Sequence, residues 1–148
     1  MTLPDSWHGS WSGLKAVVVG LGKSGFSVAD TLVELGVQTA VVGRSAKPEL
    51  SDLVGLIGSK FYASESPEVL SELGFDPDFA VVSPGFSPSH PIVVELEKKG
   101  ILVIGDIELA WRLRDKHDVV AKWIGVTGTN GKTTTTEMTA AMLMESGK

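Results

Sequence analysis

Short runs of apolar, often β-branched residues alternate along the chain with longer segments in which apolar residues recur at helical spacing. The apolar runs predict strands at residues 16–19, 39–42, 60–62, 79–82, 101–104 and 123–126. The other segments predict helices at residues 24–35, 67–73, 91–99, 106–114 and 132–145. Most of these helices are followed by a glycine that fits a left-handed C-terminal cap, namely Gly36, Gly74, Gly100 and Gly147.

Most of the predicted strands are apolar at every position, not at alternate positions. A strand that is apolar on both faces is typical of a parallel sheet with helices on each side. The alternation of strands and helices therefore predicts an α/β fold, with a doubly wound and mostly parallel sheet.

The sixth strand and its helix stand apart from the first five strands, because residues 106–118 form a charged connector instead of a short loop. We predict a domain boundary near Gly105. Residues 1–105 would form the first domain, and residues 106–148 the connector helix and the start of a second domain. Because a single strand and helix have no sheet of their own, the second domain is expected to be truncated.

Charge and composition exclude several classes of function. The chain has 148 residues, 13 Lys and Arg against 18 Asp and Glu, and a net charge of −5, which argues against a nucleic-acid partner. It has no cysteine, which excludes thiol catalysis, and its three histidines share no metal-ligand spacing. Neither a signal peptide nor a membrane span is apparent, so we expect a cytoplasmic protein without a membrane partner.

The first strand leads directly into Gly-Leu-Gly-Lys-Ser-Gly at residues 20–25 and then into a helix. In this context Gly20 permits a tight turn, Gly22 lets a ligand approach the backbone, and Gly25 lets helix and strand pack closely. Free N–H groups at the helix N-terminus would face a diphosphate. The motif alone is weak, and a tight turn without a ligand remains an alternative.

The second strand lacks the acidic residue that an NAD site carries at its end to bind the ribose. Gly43, Arg44 and Ser45 follow it instead, and Arg44 is suited to pair with a phosphate, as in an NADP enzyme or with another nucleotide. The loop at residues 83–91 opens on the same sheet edge, and its Pro84-Gly85 pair suits a type II turn. Three loops are therefore predicted to converge.

The strongest local signal is Gly-Val-Thr-Gly-Thr-Asn-Gly-Lys-Thr-Thr at residues 125–134, between a predicted strand and a predicted helix. It indicates a P-loop, in which glycine N–H groups bind phosphates, Lys132 supplies charge to the β and γ phosphates, and Thr133 ligates Mg²⁺. The match to the common P-loop pattern is imperfect, because Val126 stands at the first glycine position.

Four motifs, in this order and spacing, resemble the Mur ligase family: the glycine loop at 20–25, Ser-Pro-Gly at 83–85, Gly-Asp-Ile-Glu-Leu at 105–109, and Thr-Gly-Thr-Asn-Gly-Lys-Thr-Thr at 127–134. The resemblance covers nearly the whole chain. It implies that the first domain is Rossmann-like and binds the UDP part of a substrate without a nicotinamide. The UDP-binding residues it implies are Gly22, Lys23, Ser24, Gly25, Arg44, Ser45 and Gly85.

Within this set, the resemblance places Lys23 and Ser24 on the diphosphate, Arg44 and Ser45 on the nucleotide, and Gly85 on the uracil. It also implies a catalytic role for Lys132 and a Mg²⁺-ligand role for Thr133. The implied ATP-binding residues are Gly128, Thr129, Asn130, Gly131, Lys132, Thr133 and Thr134.

The implied activity is an ATP- and Mg²⁺-dependent amide ligation that adds D-glutamate to UDP-N-acetylmuramoyl-L-alanine through an acyl phosphate. Such an enzyme serves peptidoglycan synthesis, and through it cell wall biogenesis, cell shape and cell division. The fragment alone is expected to bind UDP and to be inactive. An NADP-dependent oxidoreductase domain and a non-catalytic nucleotide-sensing module remain alternatives.

Overall fold

A computed structural model describes residues 2–44, 48–117, 120 and 122–147. A parallel five-stranded sheet with the order β3-β2-β1-β4-β5 forms its centre. The strands are β1 (Lys15–Val19), β2 (Gln38–Val42), β3 (Lys60–Tyr62), β4 (Phe79–Val82) and β5 (Leu102–Gly105). The helices are α1 (Lys23–Glu34), α2 (Pro48–Leu56), a 3₁₀ helix (Pro67–Ser71), α3 (Pro91–Lys98), α4 (Asp106–Arg112) and α5 (Lys132–Glu145).

Both faces of the sheet are buried, which confirms the predicted doubly wound arrangement. On the central strand, Ala16 and Val18 join a core cluster with side chains from α1, α2 and α4. The alternate residues Val17 and Val19 join a second cluster with side chains from the 3₁₀ helix and α3. Full burial of one valine or leucine side chain contributes roughly 1.5–3 kcal/mol. The apolar runs that predicted the strands therefore also hold the layers together.

Five of the six predicted strands form, each within one residue of its expected ends. The four glycines expected to cap helices all adopt a left-handed backbone, with φ between 72° at Gly100 and 78° at Gly74. The signals for the first five strands were therefore correct. Gly36, Gly100 and Gly147 each follow the C-cap residue of a helix as expected, whereas Gly74 lies two residues beyond Glu72, the C-cap of the 3₁₀ helix.

The prediction of a sixth strand at residues 123–126 was wrong, because residues 122–128 adopt no regular secondary structure. A strand requires a neighbour for its N–H and C=O groups. Among the residues that the structure describes, none forms a backbone hydrogen bond with this segment. The apolar run therefore has the composition of a strand but lacks a partner strand in the described part of the chain.

The sequence analysis missed α2, and it predicted an α-helix where the 3₁₀ helix forms. Helix α2 contains Ser51, Asp52 and Gly55, which are weak helix formers, and Val54 is its only buried residue. The helical period is therefore faint in this segment. The 3₁₀ helix is a single short connection, the usual setting for this tighter geometry.

Helix α4 belongs to the packed body of the sheet. Leu109 and Leu113 are buried in the same cluster as the side chains of α1, so the described core continues beyond Gly105. In contrast, α5 has no buried residue, and Met138 and Met142 are 60% and 63% exposed. The domain boundary near Gly105 stays a prediction.

The N-terminal segment is hydrogen-bonded to Asp115, which lies just after α4. The Ser6 hydroxyl and the Trp7 backbone N–H both donate to the Asp115 carboxylate, at 2.6 Å. These two bonds, the Ser6 bond first, lower the pKa of Asp115. Trp11 is buried, donates its indole N–H to the Ser6 carbonyl at 2.8 Å, and packs edge-on against Phe79. We call these contacts the N-terminal latch.

No helix in the described ranges is long and apolar enough to cross a membrane.

Candidate nucleotide-binding site

The loops that follow β1, β2 and β4 meet at the carboxyl edge of the sheet, as the sequence predicted. They surround a cleft of about 380 Å³, which is within the size range of small-molecule sites. The cleft is lined by the glycine loop, Gly43, Arg44, Glu65 and the turn at residues 83–86. Ser45, a predicted site residue, lies outside the described residues.

Two glycines of the loop are required by close packing. Gly20 has a φ of 101°, and a Cβ there would lie 2.8 Å from both the Phe86 ring and the Ser83 hydroxyl. A Cβ at Gly25 would overlap the Gly20 carbonyl oxygen. The loop therefore folds tightly and brings α1 against the end of β1, which is the role expected of these two positions.

Gly22 is different, because a Cβ there would meet no atom within 4 Å. It is the N-cap of α1, with extended backbone and no side-chain capping bond. The described residues also provide no acceptor for the backbone N–H groups of Lys23, Ser24 and Gly25. An open space in front of free N–H groups at a helix N-terminus suits an anion.

Lys23 and Ser24 are exposed at the start of α1 and line the cleft. They also line a neighbouring groove of about 410 Å³ between α1 and α4. That groove is mostly apolar, whereas the cleft contains the glycine loop and Arg44. We therefore place the candidate site in the cleft.

Gly85 is exposed on the loop after β4 and lines the cleft as predicted. The Phe86 N–H donates to the Ser83 carbonyl at 3.1 Å, which closes a β-turn around Pro84 and Gly85. The prediction of a type II turn was wrong, because Gly85 does not have a positive φ. Proline at the second turn position suits a type I turn equally well, so the sequence pair did not decide between them.

Arg44 extends from the end of β2 with 81% of its side chain exposed. Its backbone N–H donates to Glu65 Oε1 at 3.0 Å, and its Nε lies 3.3 Å from Glu65 Oε2. The Glu65 side chain is only 20% exposed. The Glu65 carboxylate therefore contacts the backbone N–H and the Nε of Arg44, while most of the Arg44 side chain is exposed to solvent.

Sequence reasoning missed Glu65, which lines the cleft, and His90, which lies beside Glu65. His90 is the N-cap residue of α3, its Nε2 lies 3.9 Å from Glu65 Oε2, and its ring packs edge-on against Phe86. No motif marks the segment after β3. The available signal was the position of Glu65 at the carboxyl end of a strand predicted to lie in the same sheet.

The predicted P-loop is a separate region, since none of the residues that line the cleft comes from residues 122–147. Gly131 is left-handed, with φ of 76°, and α5 begins at Lys132. The Lys132 ammonium donates to the Gly128 carbonyl at 2.6 Å, and Thr129 O lies 3.4 Å away. Asn130, Thr133 and Thr134 are exposed around the same helix start.

This arrangement has the turn and helix of a phosphate-binding loop but not its strand. Thr133, in the first turn of α5, has its side chain open to solvent, which fits a Mg²⁺ ligand supplied together with phosphate oxygens. In the described part of the chain, no group of three or more His, Cys, Asp or Glu side chains is arranged to hold a metal. Thr133 would therefore act with ligands from outside these residues.

Comparison with known proteins agrees with the fold. The family described as "Mur ligase MurD-like, N-terminal domain" matches residues 14–105. A "UDP-N-acetylmuramoylalanine--D-glutamate ligase" of Leifsonia xyli subsp. xyli is 51% identical over 152 residues, which cover 96% of this chain and 29% of that protein. The protein of the same name from Tropheryma whipplei (strain Twist) is 42% identical, with the same two coverages. The chain thus spans less than a third of the length of these relatives.

Two solved structures are similar in fold. The murein peptide ligase mpl from Psychrobacter arcticus 273-4 aligns with a TM-score of 0.63 and 23% identity, over 91% of this chain and 27% of that one. The UDP-N-acetylmuramate:L-alanyl-gamma-D-glutamyl-meso-diaminopimelate ligase from Neisseria meningitides aligns with a TM-score of 0.59 and 22% identity, over 90% of this chain and 40% of that one. At this identity the likeness concerns the fold alone.

Proposed function

Because the chain belongs to the Mur ligase family, through a MurD-like N-terminal domain, we propose that its cleft binds the UDP part of UDP-N-acetylmuramoyl-L-alanine. The whole protein would then join D-glutamate to that substrate in peptidoglycan precursor synthesis, in the cytoplasm. The names of the two relatives, both UDP-N-acetylmuramoylalanine--D-glutamate ligases, support this reaction. This chain would contribute the substrate-binding domain and the first part of the ATP site.

The observation that carries the proposal is the open space at Gly22, between free helix N–H groups and the exposed Lys23. A diphosphate has the charge and size for that position. Arg44 on one side and the turn at Gly85 on the other would then face the nucleoside. The arrangement would orient a nucleotide along the sheet edge, and the cleft would serve to bind the substrate.

The chemical step would use the second region. ATP transfers its γ-phosphoryl group to the alanyl carboxylate, which gives an acyl phosphate and ADP. The amine of D-glutamate then attacks the acyl carbon, loses a proton and expels inorganic phosphate, so that an amide forms. Lys132 would neutralise charge on the β and γ phosphates. Mg²⁺, when bound with Thr133 as one ligand, would supply further positive charge to the phosphates.

Lys132 has a visible alternative partner, since its ammonium bonds to the Gly128 carbonyl in the loop. A phosphate would compete with that carbonyl for the same proton donor. The loop therefore holds the Lys132 ammonium beside the Gly128 carbonyl. Nucleotide binding would replace this carbonyl with a phosphate oxygen as the acceptor.

Calorimetric titration of the 148-residue chain with UDP, UDP-N-acetylmuramoyl-L-alanine, NADP⁺ and ATP tests the proposal. We expect both uridine ligands to bind, and NADP⁺ to bind more weakly than either. Tighter binding of NADP⁺ would instead support the oxidoreductase alternative, for which the exposed Arg44 is the favourable feature. Absence of uridine-ligand binding would overturn the assignment of the cleft.

A further inference from the structure

The cleft contains one carboxylate among the described residues that line it, that of Glu65. It comes from the segment after β3, at the edge of the sheet, and not from the segment after β2. No carboxylate stands at the end of β2, where Gly43 and Arg44 occur. The structure nevertheless places the Glu65 carboxylate beside the end of β2.

Strand register explains why. Strands β2 and β3 are parallel and Val42 lies opposite Tyr62, so the residues that follow these two strands emerge side by side. The Gly43 N–H donates to the Tyr62 carbonyl at 3.1 Å, which extends the pairing by one residue. Three residues after Tyr62, the Glu65 side chain reaches back and accepts the Arg44 N–H at 3.0 Å. The carboxylate thus lies directly beside the backbone that ends β2.

In dinucleotide-binding folds of this topology, an acid at the end of the second strand accepts hydrogen bonds from the ribose hydroxyls. We propose that Glu65 takes this part here, and that its carboxylate accepts hydrogen bonds from the 2′- and 3′-hydroxyls of the bound nucleotide. The inference rests on the proposed function, because it requires a ribonucleotide in the cleft. It adds a specificity-determining residue that follows β3, whereas the acid in dinucleotide-binding folds follows the second strand.

The carboxylate has the capacity for this bond. Two carboxylate oxygens offer about four lone-pair positions, and the Arg44 N–H occupies one of them. The guanidinium 3.3 Å from Oε2 offsets the repulsion between Glu65 and the phosphates of the ligand. Because the side chain is only 20% exposed and held at both oxygens, it is already oriented before the nucleotide arrives.

A ribose-binding carboxylate distinguishes ribonucleotides from deoxyribonucleotides. We therefore propose titrating the 148-residue chain with UDP and with 2′-deoxy-UDP. A hydrogen bond to a charged acceptor corresponds to a factor on the order of ten in Kd, so UDP should bind about tenfold more tightly than 2′-deoxy-UDP. In Glu65→Ala this ratio should fall to about one. Glu65→Gln, which can still accept the Arg44 N–H, should lower the ratio with little effect on thermal stability.

Two variants serve as controls. Glu68→Ala removes an exposed carboxylate three residues further along, in the 3₁₀ helix, and should leave both affinities unchanged. Lys23→Ala should weaken both ligands by the same factor and preserve the ratio, because it acts on the diphosphate. The double variant Arg44→Ala/Glu65→Ala separates direct from indirect action. If Glu65 contacts the ribose, Arg44→Ala alone keeps a ratio above one and the double variant loses it.

The outcomes are distinct. If the unmodified chain binds neither ligand, the proposed function fails and this inference fails with it. If it binds UDP and 2′-deoxy-UDP equally well, the inference alone is overturned. A ratio that survives in both Glu65 variants, or that vanishes already in Arg44→Ala, would also overturn it, the latter because Glu65 would then act only by holding Arg44.

Discussion

The carbonyl oxygen of Gly20 occupies the position where a side chain on residue 25 would begin, so the glycine loop and α1 meet backbone to backbone. This contact fixes the direction in which α1 leaves the sheet. It also leaves Gly22, midway between the two, facing open space. One position of the loop can therefore be altered without disturbing the contact between the other two.

Gly22→Val is expected to abolish binding of UDP while the domain stays folded. The valine side chain would fill the space assigned to the diphosphate, and the φ of −114° at this position accepts any residue. Calorimetric titration with UDP and a thermal melt measure the two effects. Gly55→Val is the matched control, because a Cβ at Gly55 also meets no atom within 4 Å and it lies in α2, away from the cleft. Normal UDP binding by Gly22→Val would show that the loop is only structural.

Lys132→Ala is expected to lower kcat strongly. The protein to test is one that contains this chain and also the further domains that its relatives have. Removal of a preorganised electrostatic contact commonly costs about 10²–10³ in kcat. Binding of the UDP substrate should change little, because Lys132 does not line the cleft. Steady-state ADP release and UDP titration on the same variant test both statements, with Lys122→Ala as an exposed-lysine control. Near-normal ADP release would leave Lys132 as a helix residue only.

The 148-residue chain by itself is expected to show no ADP release that depends on D-glutamate. Helix α5, which follows the predicted P-loop, has no buried residue, and the described residues supply no cluster of metal ligands. Phosphoryl transfer depends on positioning and on metal ions that bridge the phosphates. The assay measures ADP with D-glutamate and UDP-N-acetylmuramoyl-L-alanine both present, and with each omitted. Release that needs both compounds would contradict this expectation.

How far the sequence predicts this molecule depends on whether a feature is local. Strands β1, β2 and β4 were predictable because their apolar runs are buried on both faces of the sheet, and helix ends such as Gly36 because a left-handed cap selects glycine. Helix α2 was missed because one buried residue, Val54, leaves almost no period. The run at 123–126 has strand composition, but none of the described residues pairs with it.

The residues of the cleft also divide into those with a local sequence signal and those without one. Gly20, Gly22 and Gly25 were assigned from spacing, because consecutive residues of one turn carry the signal. Glu65 was not, because its position depends on the register that sets Val42 opposite Tyr62 in another strand. A residue that enters a site through strand pairing leaves no mark at fixed spacing along the chain.

Asp115→Asn is expected to lower the melting temperature at neutral pH, with a difference that shrinks in acid. The bonds from Ser6 and Trp7 lower the pKa of this carboxyl in the folded state. A carboxyl of this kind stabilises the fold above its unfolded pKa, and the stabilisation is lost as the pH falls through the lowered pKa of the folded state. Thermal melts at pH 7, 5 and 3 measure this, with the exposed Asp52→Asn as control. A difference that stays constant with pH would contradict it.

The N-terminal latch also sets the order in which the protein can be completed during synthesis. Ser6 and Asp115 are 109 residues apart, so Ser6 leaves the ribosome well before its partner and stays unpaired until Asp115 follows. Until Asp115 has emerged, the Ser6 hydroxyl and the Trp7 backbone N–H lack their acceptor, so the latch cannot close. A nascent chain that pauses before Asp115 would therefore carry all five strands of the sheet while its N-terminal segment is not yet held in place.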